Sequence, residues 1–277
     1  MMECLIGDIK VHYEIYGSGK PIIMLHGFSP DHRLMLGCME PVFVQREGWK
    51  RIYIDLPGMG QTKGNESIQN SDGMLDLVLK FIDTIIPDES FLIAGESYGG
   101  YITRGVISKR KEKIDGAAFI CPMIIPNINK RQLPPHTVIY RDEKFLSQLS
   151  AEERENFSLN FVVLNENNWQ RYLEEIISGI KIADEAFLTK IQKKYAFSFD
   201  VDNEISLYEK PSLFLLGRQD SVTGYKDAWE IIDKFPRATF AVLDKAGHNL
   251  QIEQDGLFHS LINEWLNRVE ENIAAFE

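Results

Sequence analysis

The chain has 277 residues, 44% hydrophobic and 26% charged, with 30 Lys and Arg against 41 Asp and Glu for a formal net charge of -11. That length and apolar fraction bury a large core in one or two domains, and exclude both a disordered chain and a membrane-embedded one. The acidity argues against a nucleic-acid binder, because such proteins neutralise phosphates with clustered cations. The one basic cluster, Lys109-Arg110-Lys111-Glu112-Lys113, reads as the solvated C-terminal turn of a helix, where cations suit the macrodipole.

From the N-terminus, residues 1–8 show no basic segment leading into a long apolar run, and no later stretch reaches the ~18 apolar residues of a spanning helix. The expectation is a cytoplasmic protein with no membrane partner. Val11-His12-Tyr13-Glu14-Ile15-Tyr16 alternates with period two and predicts an antiparallel strand closed by Gly17-Ser18-Gly19. Residues 21–25, 51–55, 90–94, 116–120, 211–216 and 238–243 are nearly continuous apolar runs, the pattern of strands covered on both faces in a mainly parallel sheet. Helical spacing of apolar residues marks 73–86, 98–109, 228–235 and 257–269 between or after them. Alternating strand and helix predicts an α/β fold.

Residues 123–206 break the alternation. No buried strand run stands out there; short amphipathic helices are predicted over 142–149, from the capping box at Ser150-Ala151-Glu152-Glu153, over 168–177 and over 184–195. The segment is rich in aromatics, Trp169, Tyr172 and Phe187 among them. A helical insertion between two strands reads as a cap over the sheet edge where α/β folds bind ligands, the alternative being a separate helical domain with its own core. The expected division is a core of residues 1–122 and 207–277 with a cap of 123–206.

The strongest chemical signal is Gly95-Glu96-Ser97-Tyr98-Gly99-Gly100, directly after a predicted strand and before a predicted helix. A serine on so tight a turn is strained and needs small residues two before and two after it, the G-x-S-x-G nucleophile elbow. A serine hydroxyl is too weakly acidic to attack a carbonyl alone, so an imidazole must take its proton and a carboxylate must hold the imidazole. Two later strands run into Gly217-Arg218-Gln219-Asp220 and Asp244-Lys245-Ala246-Gly247-His248, and such loops converge on one sheet edge. Asp220 and His248 are therefore the candidate acid and base for Ser97. The competitors have weaker placement: His12 and His259 fall inside regular elements, His32 and His136 in loops, Asp244 in the histidine's own loop, Asp200 and Asp202 in the insertion.

With Leu25-His26-Gly27-Phe28 and Asp55-Leu56-Pro57-Gly58-Met59-Gly60, these motifs make the chain resemble the α/β-hydrolase superfamily from about Ile22 to the last helix, the insertion excepted. The resemblance implies an eight-stranded, mainly parallel sheet flanked by helices. It also implies an oxyanion hole formed by the backbone N–H groups of Phe28 and Tyr98, and a supporting rather than catalytic role for His26. Ser97 separates the chain from the dehalogenase and epoxide-hydrolase branches, which place Asp there.

Cofactor motifs fail on inspection. Gly17-Ser18-Gly19-Lys20 lacks the first Gly and the Ser or Thr of a phosphate loop, Gly58-Met59-Gly60 lacks the third Rossmann Gly, and H-E-x-x-H is absent. Cys4, Cys38 and Cys121 are odd in number, without C-x-x-C spacing, and read as buried hydrophobes. Neither cofactor nor metal is expected. The expected partner is a small-molecule substrate, and a homodimer stays open. Triads of this type also cut thioesters, lactones, carbon–carbon bonds and N-terminal proline peptides, and some relatives bind ligands without catalysis. The expectation is a carboxylic-ester hydrolase for a small, largely apolar acyl substrate.

Overall fold

An apolar run has two faces to bury, and in the computed structural model, which describes residues 2–275, helices cover both faces of the central strands, while the run at 238–243, at the sheet edge, is only half-buried. The strands are β1 (Met2–Ile6), β2 (Ile9–Tyr16), β3 (Lys20–Leu25), β4 (Trp49–Ile54), β5 (Phe91–Glu96), β6 (Ile114–Ile120), β7 (Tyr140–Arg141), β8 (Val163–Leu164), β9 (Ser212–Gly217) and β10 (Ala238–Leu243). Eight of them form one sheet in the order β1-β2-β4-β3-β5-β6-β9-β10. β1 pairs with β2, and β2 with β4, antiparallel; every other pairing in this sheet is parallel.

The period-two pleat sorts side chains between two layers. Ile23, Leu25, Ile93, Phe119, Phe214 and Leu216 pack against α2 (Ser71–Ile85) and α3 (Tyr98–Arg110). Their sequence neighbours Ile22, Met24, Leu92, Ala94, Leu213 and Leu215 pack on the other face against α1 (His32–Phe43) and α12 (Asp255–Ala274). The basic cluster begins in the last turn of α3 and continues through the 3-10 turn Lys111–Lys113 at the surface, where Lys109 pairs with Glu204, Arg110 with Asp83 and Lys113 with Asp88. The three cysteines are free and buried.

Several elements differ from expectation. The segment around His32 is not a loop but the start of α1, capped by Asp31, whose side chain accepts the Arg33 N–H. Gly37 and Pro41 hide this helix in the sequence. Gly37 is required by packing, since a Cβ there would lie 2.3 Å from the Glu175 carboxyl carbon of the insertion. The helix expected over 228–235 is α10 (Lys226–Glu230) followed by a 3-10 turn, Ile232–Lys234. β5 extends two residues beyond its apolar run and takes in Gly95 and Glu96.

Between β6 and β9 lie α4 (Glu143–Leu146), α5 (Ala151–Asn160), α6 (Glu166–Arg171), α7 (Ser178–Ile180), α8 (Glu185–Gln192) and α9 (Val201–Ile205). The capping box forms at Ser150 and Glu153. The parallel pair β7 and β8 was not anticipated, being too short to show a pattern. Tyr172–Ile177 is a π-helical turn, a wider winding that recurs at functional sites. Phe157, Phe161, Trp169 and Ile176 join the same apolar cluster as α1 and α12, while Phe187, Ile191 and Ile205 join the cluster of α2 and α3. The buried apolar residues of the insertion are therefore continuous with the two clusters that flank the sheet. No helix among the described residues is long and apolar enough to cross a membrane.

Candidate active site

The elbow follows from sterics. Ser97, between β5 and α3, has φ +51° and ψ -112°, a combination unfavourable for a side-chain-bearing residue. A Cβ at Gly95 would lie 2.4 Å from the Gly99 carbonyl oxygen, and one at Gly99 would lie 2.2 Å from that of Leu25. Both glycines are thus dictated by backbone approaching backbone. The turn is pinned on both sides: Ser97 N–H donates to the Ile120 carbonyl, and Met123 N–H to that of Ser97, each at 2.9 Å.

Asp220 follows β9 and His248 lies in the loop after β10, so adjacent parallel strands deliver both to the elbow. The Ser97 hydroxyl lies 2.9 Å from His248 Nε2, and His248 Nδ1 lies 3.0 Å from Asp220 Oδ2. Asp220 is fully buried and takes further donors: the Val222 and Thr223 N–H groups reach Oδ1 at 2.8 and 3.0 Å, and the Thr223 hydroxyl reaches Oδ2 at 2.7 Å. Burial opposes its charge, but His248 and the Thr223 donors outweigh that and hold its pKa down at about 2. Asp220 therefore stays ionised at neutral pH. For His248, burial again opposes the charge, and the Asp220 and Glu96 carboxylates outweigh it, raising the imidazole above its ordinary value.

Tyr98 is the first residue of α3, where an N–H has no partner within the helix. The rings of Phe28 and Tyr98 meet edge to face at 5.2 Å, and Tyr98 stacks on Tyr195 while its hydroxyl lies 2.8 Å from that of Ser71. Those contacts bring together the two residues whose amides the resemblance implicates. His26 is buried, with Nδ1 2.7 Å from the Gly27 carbonyl and Nε2 accepting the Leu56 N–H at 3.0 Å, as suits a loop support.

The competing residues sit elsewhere. His32 Nδ1 binds Asp55 at 2.7 Å, His136 binds the Ser158 carbonyl, and His12 and His259 lie within β2 and α12. Asp200 caps α9, Asp202 pairs with Arg104, and Asp244 accepts from Gln219 at the surface. Among the described residues, two groups have ligand-type atoms within 4.8 Å of one another, His12 with His32 and Asp55, and Cys121 with Asp220 and His248. In each, the carboxylate and an imidazole nitrogen are already joined to each other by a hydrogen bond, so each is a hydrogen-bonded cluster.

Sequence reasoning missed two carboxyl groups. Glu96, the variable residue of the elbow, is buried with Oε1 3.4 Å from His248 Nε2. Glu253, in α11 (Leu250–Glu253), accepts the N–H of Gly247 at 2.6 Å and those of Val162 and Val163 at 2.6 and 3.1 Å. It ties the histidine loop to the insertion. No short motif marks either residue.

A cavity of about 140 Å³ opens over Ser97, lined by Gly27, Phe28, Leu34, Glu96, His248 and, from the insertion, Tyr172, Ile176 and Ile180. Of the three aromatics singled out above, only Tyr172 reaches it. Trp169 packs on Phe157 and Tyr172, and Phe187 borders a separate cavity beside Gly64 and Ile68. Spacing alone did not reveal this, because Trp169 and Tyr172 share one helical stretch and Phe187 lies on another, α8, and tertiary packing decides which cavity each meets.

Among solved structures the chain is similar to an alpha/beta superfamily hydrolase from Oenococcus oeni PSU-1, with a TM-score of 0.88 and 29% identity, covering 98% of this chain and 100% of that one. Among curated proteins it is 20% identical to a 2-hydroxy-6-oxo-6-(2'-aminophenyl)hexa-2,4-dienoic acid hydrolase of Metapseudomonas resinovorans, over 95% of this chain and 89% of the relative. It is 21% identical to a pimeloyl-[acyl-carrier protein] methyl ester esterase of Legionella pneumophila (strain Corby), over 93% of this chain and all of the relative. The sequence profile of the alpha/beta hydrolase fold matches residues 20–255, and with the sheet order and elbow described above, the chain belongs to the α/β-hydrolase family.

Proposed function

We propose that the chain is a serine carboxylesterase for small, largely apolar acyl groups, working through an acyl-enzyme on Ser97. The carrying observation is the continuous hydrogen-bonded chain from Ser97 through His248 to buried Asp220. In this reading His248 Nε2 takes the Ser97 proton as the oxygen attacks the ester carbonyl carbon, and the new oxyanion receives the Phe28 and Tyr98 N–H groups. Collapse breaks the C–O bond, and the leaving alcohol takes the proton from Nε2. Water then enters by the same route in reverse and frees the acid. No step calls for a cofactor or metal.

The insertion serves as the cap, with Tyr172, Ile176 and Ile180 as its roof. A volume of about 140 Å³ lies below the range of ~300–1,000 Å³ that holds drug-sized ligands, which favours short acyl groups. No Lys or Arg is among the described residues lining it, and its one acidic group is Glu96, so a neutral ester suits it better than a dienoic acid of the kind named for the Metapseudomonas resinovorans relative.

The test is a panel of p-nitrophenyl esters of rising acyl length. Short esters are expected to turn over fastest, and Tyr172→Ala is expected to move the preference toward longer chains by roughly 1–3 kcal/mol per acyl contact, with short-ester turnover retained. Trp169→Ala is the control: it opens the aromatic cluster and lowers the melting temperature, at a cost of ~3–5 kcal/mol, without altering the preference. No turnover of any ester would reject the carboxylesterase reading, and an unchanged preference in Tyr172→Ala would reject the roof.

Activity is also expected to fall on the acid side as His248 gains a proton, since only the neutral ring accepts one from Ser97. Because the site raises this imidazole, the midpoint of kcat/KM is expected above its ordinary value of 6.5. A midpoint at or below 6.5 would contradict the geometry assigned to the base.

A further inference from the structure

His248 Nε2 faces two groups, not one. Ser97 Oγ lies at 2.9 Å, and on the same side Glu96 Oε1 lies at 3.4 Å. Glu96 ends β5, immediately before the strained serine, so its backbone is held by the sheet pairing of Glu96 with Ile120. Its carboxyl group is also confined against the loop after β3, since a Cβ on Gly27 would stand 2.1 Å from Oε2. A buried carboxyl beside a nitrogen that alternately lacks and carries a proton interacts differently with the two states. It disfavours the lone pair of the resting ring and favours the N–H of the imidazolium.

We propose that Glu96 is a second carboxylate partner of the base, acting on His248 at Nε2 as Asp220 acts at Nδ1, so that it strengthens the base and displaces activity toward alkaline pH. This rests on the serine-hydrolase reading above. In the acylation step the Ser97 proton passes to Nε2, leaving the imidazolium between two carboxylates when Glu96 is ionised; it then passes to the leaving alcohol, and the ionised Glu96 exchanges no proton. Other titratable groups face the pair as well. Asp220 bonds the far side of the ring, and Glu253 lies behind Gly247. The Arg131 guanidinium, fixed on the carbonyls of Ile125, Pro126 and Val222, opposes the charge on His248. Cys38, Cys121 and Tyr195 sense Glu96, and burial keeps all three protonated at neutral pH. Burial also pushes Glu96 itself up to about 7 against the attraction of His248, so Glu96 acts as a carboxylate from about neutral pH upward.

The experiment compares wild type with Glu96→Gln, which keeps size and hydrogen bonding but removes the charge. The pH dependence of kcat/KM on a short p-nitrophenyl ester is measured together with fluorophosphonate labelling of Ser97. The acid-side midpoint is expected to move down by about one pH unit, the lower end of what an opposite charge at this range produces, with a lower plateau because the base is weaker. A merely structural role would lower the plateau and leave the midpoint in place, and that result overturns the proposal. Titration of the His248 ring by NMR in the same two proteins gives the shift independently of turnover. If Glu96→Gln does not fold, Glu96→Asp, which withdraws the carboxylate by one methylene, is expected to show a smaller downward shift; an unmoved ring overturns the proposal there too. Absence of Ser97 labelling in wild type removes the serine reading and this proposal with it, whereas labelling with an unmoved midpoint removes this proposal alone.

Discussion

Replacing Ser97 by alanine is expected to lower ester turnover on the order of a millionfold, as loss of the nucleophile does in other serine triads, and to abolish fluorophosphonate labelling. The fold is expected to remain, because the contacts that pin the turn are made by the Ser97 backbone rather than its side chain. A companion variant separates strain from chemistry. At φ +51° and ψ -112°, position 97 carries a conformation that costs about 1–3 kcal/mol for a residue with a Cβ. Ser97→Gly is therefore expected to be as inactive as Ser97→Ala and yet to melt higher by the equivalent of about 1 kcal/mol. Labelling that persists in Ser97→Ala would overturn the assignment of the nucleophile, and a lower melting temperature in Ser97→Gly would overturn the strain argument.

Asp220→Asn is expected to cut kcat by about ten-thousandfold, since an amide presents the wrong hydrogen-bonding face to His248 Nδ1 and releases the ring's tautomer. Its fold should survive, because the amide oxygen still accepts from the Val222 and Thr223 N–H groups. The stability difference has a defined pH dependence. With a folded-state pKa lowered from 3.8 to about 2, the Asp220 charge contributes stability that is fully present above the unfolded value and disappears as pH falls through about 2. Wild type should thus lose its margin over Asp220→Asn between roughly pH 4 and 2. Asp200→Asn should keep both turnover and its helix cap, and Asp202→Asn should keep turnover while weakening the pair with Arg104. The reverse pattern, an active Asp220→Asn beside a dead Asp200→Asn or Asp202→Asn, would place the acid in the insertion.

Much of this site is readable before any coordinates, and the reasons are local. Gly95 and Gly99 are there because backbone approaches within 2.4 Å of where their side chains would stand, so the motif is a steric record of the turn. Asp220 and His248 are readable because both follow nearly continuous apolar runs that make the strand ends conspicuous, even though β10, at the sheet edge, is only half-buried. α1 is not readable: Gly37 answers to Glu175, 138 positions along the chain, rather than to helix propensity. Glu96 is hidden because the elbow motif leaves its position free, and only the sheet register aims its carboxyl at His248. Tyr172 could not be told from Trp169 or Phe187, since all three are buried aromatics on helices and the choice among them depends on which cavity each face meets.

Glu253 has a bearing on how such enzymes diversify by exchange of parts. Its carboxylate gathers one N–H from the segment that carries His248 and two from residues 162 and 163, so a single side chain on α11 serves both sides of the chain junctions. Excising the insertion to obtain a minimal hydrolase would leave this buried acid with one donor in place of three, at about 1–3 kcal/mol for each missing partner, directly beside the catalytic histidine. A chimera that takes its insertion from a relative inherits the same demand. The graft must present two backbone amides at that depth, or the recipient must exchange Glu253 along with it. The natural unit of recombination in this chain is the insertion together with residues 247–253, although some forty residues separate them in sequence.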